Sequence, residues 1–417
     1  MTARFGHGLV IGKFYPPHLG HVYLITAAAA ACDQVTVLVM AARRETVPLP
    51  ERVSWLRDTF AESSNRGDAG RGDAGRGDTG RAASDRGDGY RGGRQTRAEV
   101  AVCGVRCDAP VDYGDASVWA AQVAVMRAAL ARDGRPPVNA VFSSEPYGEE
   151  LATRLGASHV PVDPARAAVP VSASLVRGDL YGWWDRLVPA ARAGLATRVV
   201  VLGAESTGTT TVARLLAEHY RGRGGAWAGT PCVPEYGRQY TMIKWDAARA
   251  AARAAGRPEP SLEEITWDQG DFDVVAREQT RTENLAARGG APLVICDTDA
   301  FATAVWERRY LGERARGLQA WARDELPRHD LYLLTSHEEV PWHDDGLREG
   351  DLAVRAAMTD WFAAALARAG HSWVLLTGPL EERVRLAVRS VDLALEDRSL
   401  FGASITESST AGAGCAR

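Results

Sequence analysis

Two short apolar runs, Gly8-Leu9-Val10-Ile11 and Arg198-Val199-Val200-Val201-Leu202, each empty into a glycine-bounded loop and then a helix-like segment. A strand that passes directly into a helix is the repeating unit of a parallel sheet, because parallel neighbours need a crossover between them. Further strand-like stretches follow the first run at 35–39, 100–105, 138–142 and 159–162. Helix-like stretches lie between them at 24–31, 51–60 and 116–131, the second opened by Pro50. After the second run the pattern resumes, with a helix at 212–220 and strands at 293–297, 331–334 and 373–376. The chain is therefore expected to be α/β throughout, with a doubly wound, Rossmann-like unit over 1–192 and a P-loop, kinase-like unit over 197–398. The boundary is expected in 190–196. Ligands in such sheets bind beyond the carboxyl ends of the strands.

One segment breaks the alternation. Residues 65–94 read as Arg-Gly-Asp-Ala-Gly units that decay along the run, with almost no apolar side chains. Such a composition buries too little surface to offset the entropy of ordering, so a disordered loop is expected, and a disordered tail over 402–417. In a protein of this composition the tripeptide reads as a repeat expansion rather than an adhesion signal. The formal net charge is −4, which leaves no basic footprint for nucleic acid. No apolar run approaches the roughly 20 residues that span a bilayer, so no membrane partner is expected. A strand within ten residues of the start leaves no room for a secretory leader. Six cysteines in 417 residues make no disulfide framework, and Cys103 and Cys107 lack the second ligand pair of a zinc site. A reduced, cytoplasmic protein is expected. The sequence leaves a homo-oligomer open.

The first loop carries chemistry. Gly12 to His21 places two histidines, His18 and His21, where a strand becomes a helix. Backbone N–H groups and the helix dipole there favour an anion. A triphosphate at that point would also meet two imidazoles, an arrangement that stabilises charge developing on phosphorus. Taken alone, His-x-Gly-His also fits a metal pair or two surface histidines. The preceding strand and the glycine that admits a close backbone approach favour the phosphate reading. Ser172 to Arg177 is a second phosphate candidate, with small residues at a helix start and a planar donor one turn in; Ser-x-Ser also simply caps helices.

The pattern Gly12 to His21 resembles the nucleotidylyltransferase superfamily, and Ser172 to Arg177 resembles its second signature. With Pro48 to Arg52, Trp55-Leu56, Ser143 to Glu145, Val162 to Pro164, Trp184-Asp185, Gly203 to Thr211, Glu235 to Arg238, Asp297 to Asp299, Pro341-Trp342 and Asp345 to Arg348, the chain is similar to the NadR-type bifunctional nicotinamide mononucleotide adenylyltransferases and ribosylnicotinamide kinases. The resemblance implies NAD biosynthesis and pyridine nucleotide salvage by a multifunctional enzyme. Its partners would be nicotinamide mononucleotide, nicotinamide riboside, ATP and NAD, and its cofactors ATP and Mg²⁺. In the first unit it implies that His18, His21, Lys13 and Arg177 act on the phosphates and that Gly12, Phe14 and Ser172 bind nucleotide. Trp119 stacks on the nicotinamide ring or packs in the core. Members with a helix-turn-helix segment are repressors; this chain begins at the first catalytic strand, so repression is not expected.

In the second unit the resemblance implies nucleotide binding by Gly203, Ser206, Gly208, Thr209, Thr210, Thr211 and Arg348. Thr210 and Asp297 would hold Mg²⁺, with Asp297 catalytic, and Glu235, Arg238 and Asp299 would hold substrate. Trp267, Trp306 and Trp342 line the pyridine pocket or pack; His337 and His343 lie in an acidic, solvated loop. The P-loop departs from its pattern at Thr209, where a lysine would bring charge to the β- and γ-phosphates. Either the unit has a structural or nucleotide-sensing role, or another cation, Arg238, Lys244 or Arg348, serves instead. Alternative readings are a regulator that senses NAD or ATP, and a related nucleotidylyltransferase acting on nicotinic acid mononucleotide or phosphopantetheine.

Overall fold

The computed structural model describes residues 4–69, 98–132, 134–316, 327–338, 340 and 351–402. These form two compact units: the chain up to Ala191 together with Phe401 and Gly402, and Arg192–Leu400. Both are α/β with all-parallel sheets.

The first unit runs β1 (Phe5–Gly12), α1 (Leu19–Ala31), β2 (Cys32–Ala41), α2 (Leu49–Ala69), β3 (Glu99–Arg106), α3 (Ala116–Arg132), β4 (Ala140–Ser143), α4 (Tyr147–Leu155), β5 (Ser158–Pro161) and α5 (Ala173–Gly178). Its strand order is β3-β2-β1-β4-β5. Both faces are covered, which is why the strands read as unbroken apolar runs. Val10, Val35, Val37 and Phe142 pack on one face with Ile25 and Leu56. Leu9, Leu38 and Val141 pack on the other with Val123 and Leu151. From β1 the chain builds outward through β2 and β3, then returns to place β4 on the opposite side. A crevice therefore opens at the carboxyl end of β1, beside β4.

The stretch expected to divide the units forms α6 (Pro189–Leu195). The second unit follows: β6 (Thr197–Gly203), α7 (Thr209–Arg221), β7 (Cys232–Val233), α8 (Tyr236–Ala254), α9 (Gln269–Arg288), β8 (Leu293–Asp297), α10 (Thr303–Leu311), β9 (Leu331–Thr335), α11 (Leu352–Ala369), β10 (Trp373–Leu376) and α12 (Leu380–Ser399). The order is β10-β9-β6-β8-β7, with β6 central and the loop after it at the sheet's carboxyl edge.

Several expectations need correction. Helix α1 starts at Leu19, one turn before the apolar run, because His18 caps it. Helix α2 continues to Ala69, so 65–69 of the repeat are helical; Ala61-Glu62 carries the helix on and no proline stops it. The rest of the repeat, 70–94, lies outside the described residues. The tail is not free from its first residue: the Tyr15 hydroxyl donates to the Gly402 carbonyl at 3.2 Å, and its ring meets Phe401 edge-on at 5.4 Å. Residues 403–417 lie outside the described residues. Among the described residues no helix is long and apolar enough to cross a membrane.

Candidate functional sites

A cleft of about 260 Å³ opens at the end of β1 and is lined by Gly12, His18, His21, Arg166, Ser172 and Arg177, among others. His18 is the N-cap of α1: its Nδ1 accepts the Gly20 N–H at 3.2 Å, while the His18 N–H donates to His21 Nδ1 at 3.2 Å. Both Nδ1 atoms are thus acceptors, so each neutral ring carries its proton on Nε2. The rings stack with centroids 3.7 Å apart. Gly20 suits this position, since a Cβ would lie 3.0 Å from the His18 ring and press on the cap. Phe14, held at φ 48°, sets its ring 4.7 Å from that of His21.

Burial, reinforced by the Arg166 and Arg177 charges, lowers the His18 pKa to about 3. Burial, the neighbouring His18 and Arg166 hold His21 well below its usual value. Both rings are therefore neutral Nε2–H donors at pH 7. An NMR titration of the unliganded protein from pH 8 to 5 is expected to leave both ring signals unshifted; an inflection near 6.5 in either would contradict this. The same shift has a sign for stability. Between the folded and unfolded values the unfolded chain binds more protons, so these rings favour the fold at neutral pH and progressively less as pH falls below about 6.5.

Ser172 caps α5, accepting the Leu175 N–H at 3.2 Å. Arg177 donates to the Tyr15 carbonyl at 2.7 Å and to Ser174 Oγ at 3.1 Å, which holds its guanidinium at the cleft wall. Lys13 is paired with Glu45 at 3.2 Å. The fully buried Glu45 also takes Arg52 at 2.8 Å, and Arg52 bonds the Lys13 and Val47 carbonyls. Burial lowers the Lys13 pKa despite Glu45. A second, more apolar cavity of about 140 Å³ adjoins the cleft through Gly12, Lys13 and Tyr147 and is lined by Tyr113, Trp119 and Met126. Trp119 is 5 % exposed and packs with Val123 and Leu151, so it belongs to the core and to the cavity wall at once.

In the second unit a cavity of about 210 Å³ lies over the loop after β6. Gly203 admits no side chain, since a Cβ would fall 2.2 Å from Thr335 Oγ1. Ser206 and Gly208 take φ 57° and 87°, turning the loop so that α7 begins at Thr209. Thr210 Oγ1 donates to Asp297 Oδ2 at 2.6 Å. Asp299 diverges from Asp297 because Thr298 breaks the strand at φ 69°. It accepts from the Tyr332 hydroxyl and the Ala302 N–H, both at 2.8 Å, and burial raises its pKa. Glu235, Arg238, Trp267 and Trp306 line the cavity, and Lys244 is paired with Asp271.

Residues 198–383 match the family described as AAA domain. The trifunctional NAD biosynthesis/regulator protein NadR of Escherichia coli (strain K12) is 24 % identical over 353 residues, covering 82 % of this chain and 71 % of the relative. The protein of the same name from Salmonella typhimurium matches to the same extent. Two crystal structures of NadR, one in complex with NAD and AMP-PNP and one with NR, superpose with TM-scores of 0.60 and 0.62. Each is 19 % identical and covers 94 % of this chain, with 96 % and 98 % of their own length matched. The chain is homologous to NadR.

The first unit gathers Gly12, Lys13, Phe14, His18, His21, Ser172 and Arg177 at one cleft. The second gathers Gly203, Ser206, Gly208, Thr209, Thr210, Thr211, Glu235, Arg238 and Asp299 at another. Arg348, Trp342 and His343 lie outside the described residues. His337 Nδ1 is within reach of Thr359 Oγ1 at 3.2 Å. Sequence reasoning assigned nothing to Glu45, Tyr113, Arg355 or Arg383. The two arginines sit on helices that read as ordinary charged surfaces, yet they are 1 % and 2 % exposed and both donate to P-loop carbonyls.

Proposed function

We propose that the first unit transfers the adenylyl group of ATP to nicotinamide mononucleotide, giving NAD and pyrophosphate. The second unit would phosphorylate the 5′-hydroxyl of nicotinamide riboside and so supply the first. The observation that carries the reading is the pair of stacked, neutral imidazoles whose Nδ1 atoms are occupied by backbone N–H groups, leaving both Nε2–H donors for phosphate oxygens. Relatives named for NAD biosynthesis support it.

In the first unit a phosphate oxygen of the mononucleotide attacks the α-phosphorus, and the bond to the β-phosphate oxygen breaks. The attacking phosphate is already ionised at neutral pH, so no general base is needed, and catalysis rests on alignment and charge stabilisation. His18 and His21 donate to the α- and β-phosphate oxygens; Ser172, the start of α5 and Arg177 hold the β/γ end. Lys13 adds its charge at the cleft floor. The apolar cavity takes the pyridine ring against Trp119 and Tyr113. In the second unit the loop N–H groups cradle the phosphates of ATP. Thr210 and Asp297 offer hard oxygen donors at one point and fit Mg²⁺, which when bound neutralises phosphate charge. Glu235, Arg238 and Asp299 line the riboside side.

The test is a two-substrate assay on the intact chain. ATP with nicotinamide mononucleotide should give NAD, and ATP with nicotinamide riboside should give the mononucleotide and then NAD. Nicotinic acid mononucleotide, run in parallel, separates the amide from the acid acceptor. Absence of NAD from the mononucleotide overturns the reading of the first unit. A second reading of the second unit, nucleotide sensing without turnover, is favoured by Thr209 in place of lysine. ATP binding with no riboside phosphorylation would establish it.

A further inference from the structure

The P-loop of the second unit lacks its lysine; of the three cations singled out from sequence, Lys244 is held by Asp271, Arg238 lines the same cavity, and Arg348 is outside the described residues. A fourth cation lies against the loop itself. Arg355, in the first turn of α11, is 1 % exposed, and its Nη2 donates to the Ser206 carbonyl at 3.1 Å. Its Nε and Nη1 are buried with no hydrogen-bond partner, and so is Ser206 Oγ on the same loop. Among the described residues no carboxylate pairs with Arg355.

That combination is unusual. A buried charge normally has a counter-ion, because an unpaired one is costly. Arg383, the other buried arginine at the loop, behaves normally: it donates to the carbonyls of Thr207, Ser336, Glu338 and Gly378. Arg383 fastens the loop, whereas Arg355 has donors and charge to spare beside the loop over which the cavity lies. We propose that Arg355 is the cation that serves the nucleotide phosphates in place of the missing P-loop lysine. The proposal rests on the reading of the second unit as an ATP site. It explains how a loop with Thr209 keeps its other phosphate and metal groups. A guanidinium one hydrogen bond from the loop, shielded from water, acts on a bound phosphate far more strongly than an exposed charge at the same distance.

Two arginine variants separate charge from loop anchoring. Arg355→Gln keeps a hydrogen-bond donor, on a shorter side chain, and removes the charge; Arg355→Lys keeps the charge and most of the reach to the Ser206 carbonyl. The intact chain is titrated with Mg²⁺ and AMP-PNP, with excess NAD to occupy the first unit, and the KM for ATP in riboside phosphorylation is measured alongside. Arg355→Gln should weaken nucleotide binding roughly tenfold or more, the effect of losing one charge-assisted contact. Arg355→Lys should stay within a few-fold of wild type. Thr209→Lys should restore binding in the Arg355→Gln background and bring no gain alone, because the two cations compete for one role. Unchanged melting and unchanged NAD formation by the first unit show that each variant folds. Wild-type binding by Arg355→Gln overturns the proposal and leaves the ATP site standing. Equal loss in both arginine variants without rescue by Thr209→Lys assigns Arg355 to loop anchoring and also overturns it. No binding of AMP-PNP by the wild-type chain removes the ATP site itself.

Discussion

The His21→Ala variant is expected to make NAD from nicotinamide mononucleotide and ATP at least roughly a hundredfold more slowly than the wild-type chain, as for loss of one preorganised donor to developing charge. The reason is the direction in which the ring is held. His21 Nδ1 is occupied by the His18 N–H, so Nε2–H is the donor that faces the cleft. Burial keeps the ring neutral, so it contributes an aimed dipole rather than a mobile charge. Such a donor costs no reorganisation when the α–β bond breaks and charge moves to pyrophosphate. The loss should therefore fall mainly on kcat, with a smaller change in KM for ATP. His21→Asn is the informative partner, because its side chain can still accept the His18 N–H and preserve the cap. It should fold as wild type and remain slow. Wild-type turnover in either variant would remove His21 from the chemistry.

Much of this was legible in the sequence, for a physical reason. A strand buried on both faces is a short apolar run, and the loop that follows must be glycine-bounded where backbone approaches phosphate. Both loop–helix junctions, Gly12 to His21 and Gly203 to Thr211, met those conditions and stand where they were expected, at the carboxyl ends of central strands. Strand β7 was not legible, because two residues carry no periodicity. Helices α8 to α12 blend apolar and charged residues and were not anticipated, although Gly289, Gly312 and Gly370 close α9, α10 and α11; strand order is a property of the whole sheet rather than of any segment.

What the sequence concealed was burial of charge. Glu45 lies in a loop and Arg52 on a helix whose pattern suggests solvent, yet both are almost wholly enclosed and neutralise each other beneath the first cleft. Glu45 also pairs with Lys13, so the cation that sequence alone would give to phosphate has a carboxylate beside it. Arg355 and Arg383 are the same lesson in the second unit. A charged residue declares its partner only in three dimensions, because the partner is distant in sequence: Arg355 meets Ser206 across 149 residues. Gly402 shows the converse error, since a glycine-led polar tail reads as free while Tyr15 and Thr46 bind its first backbone groups.

Asp297→Asn is expected to lower riboside phosphorylation roughly a hundredfold or more, the scale of losing a charge that holds a catalytic metal. Adenylyl transfer by the first unit should be untouched when the mononucleotide is supplied. The asparagine variant is chosen because Thr210 Oγ1 can still donate to the new side-chain carbonyl over the same 2.6 Å contact. If Asp297 only tied the end of β8 to the start of α7, the variant would keep that tie and keep its rate. If Asp297 and Thr210 together hold Mg²⁺, the amide supplies an oxygen but no charge, and the ion binds weakly. The defect should then shrink as Mg²⁺ is raised and shrink further with Mn²⁺, while the KM for riboside stays near its wild-type value. A rate that ignores metal concentration would place Asp297 in the structure of the loop rather than in its chemistry. In the same sample NAD formation from added mononucleotide should be unchanged, because the chemistry proposed for the first unit makes no use of Asp297, and an unchanged melting curve shows that the second unit folds.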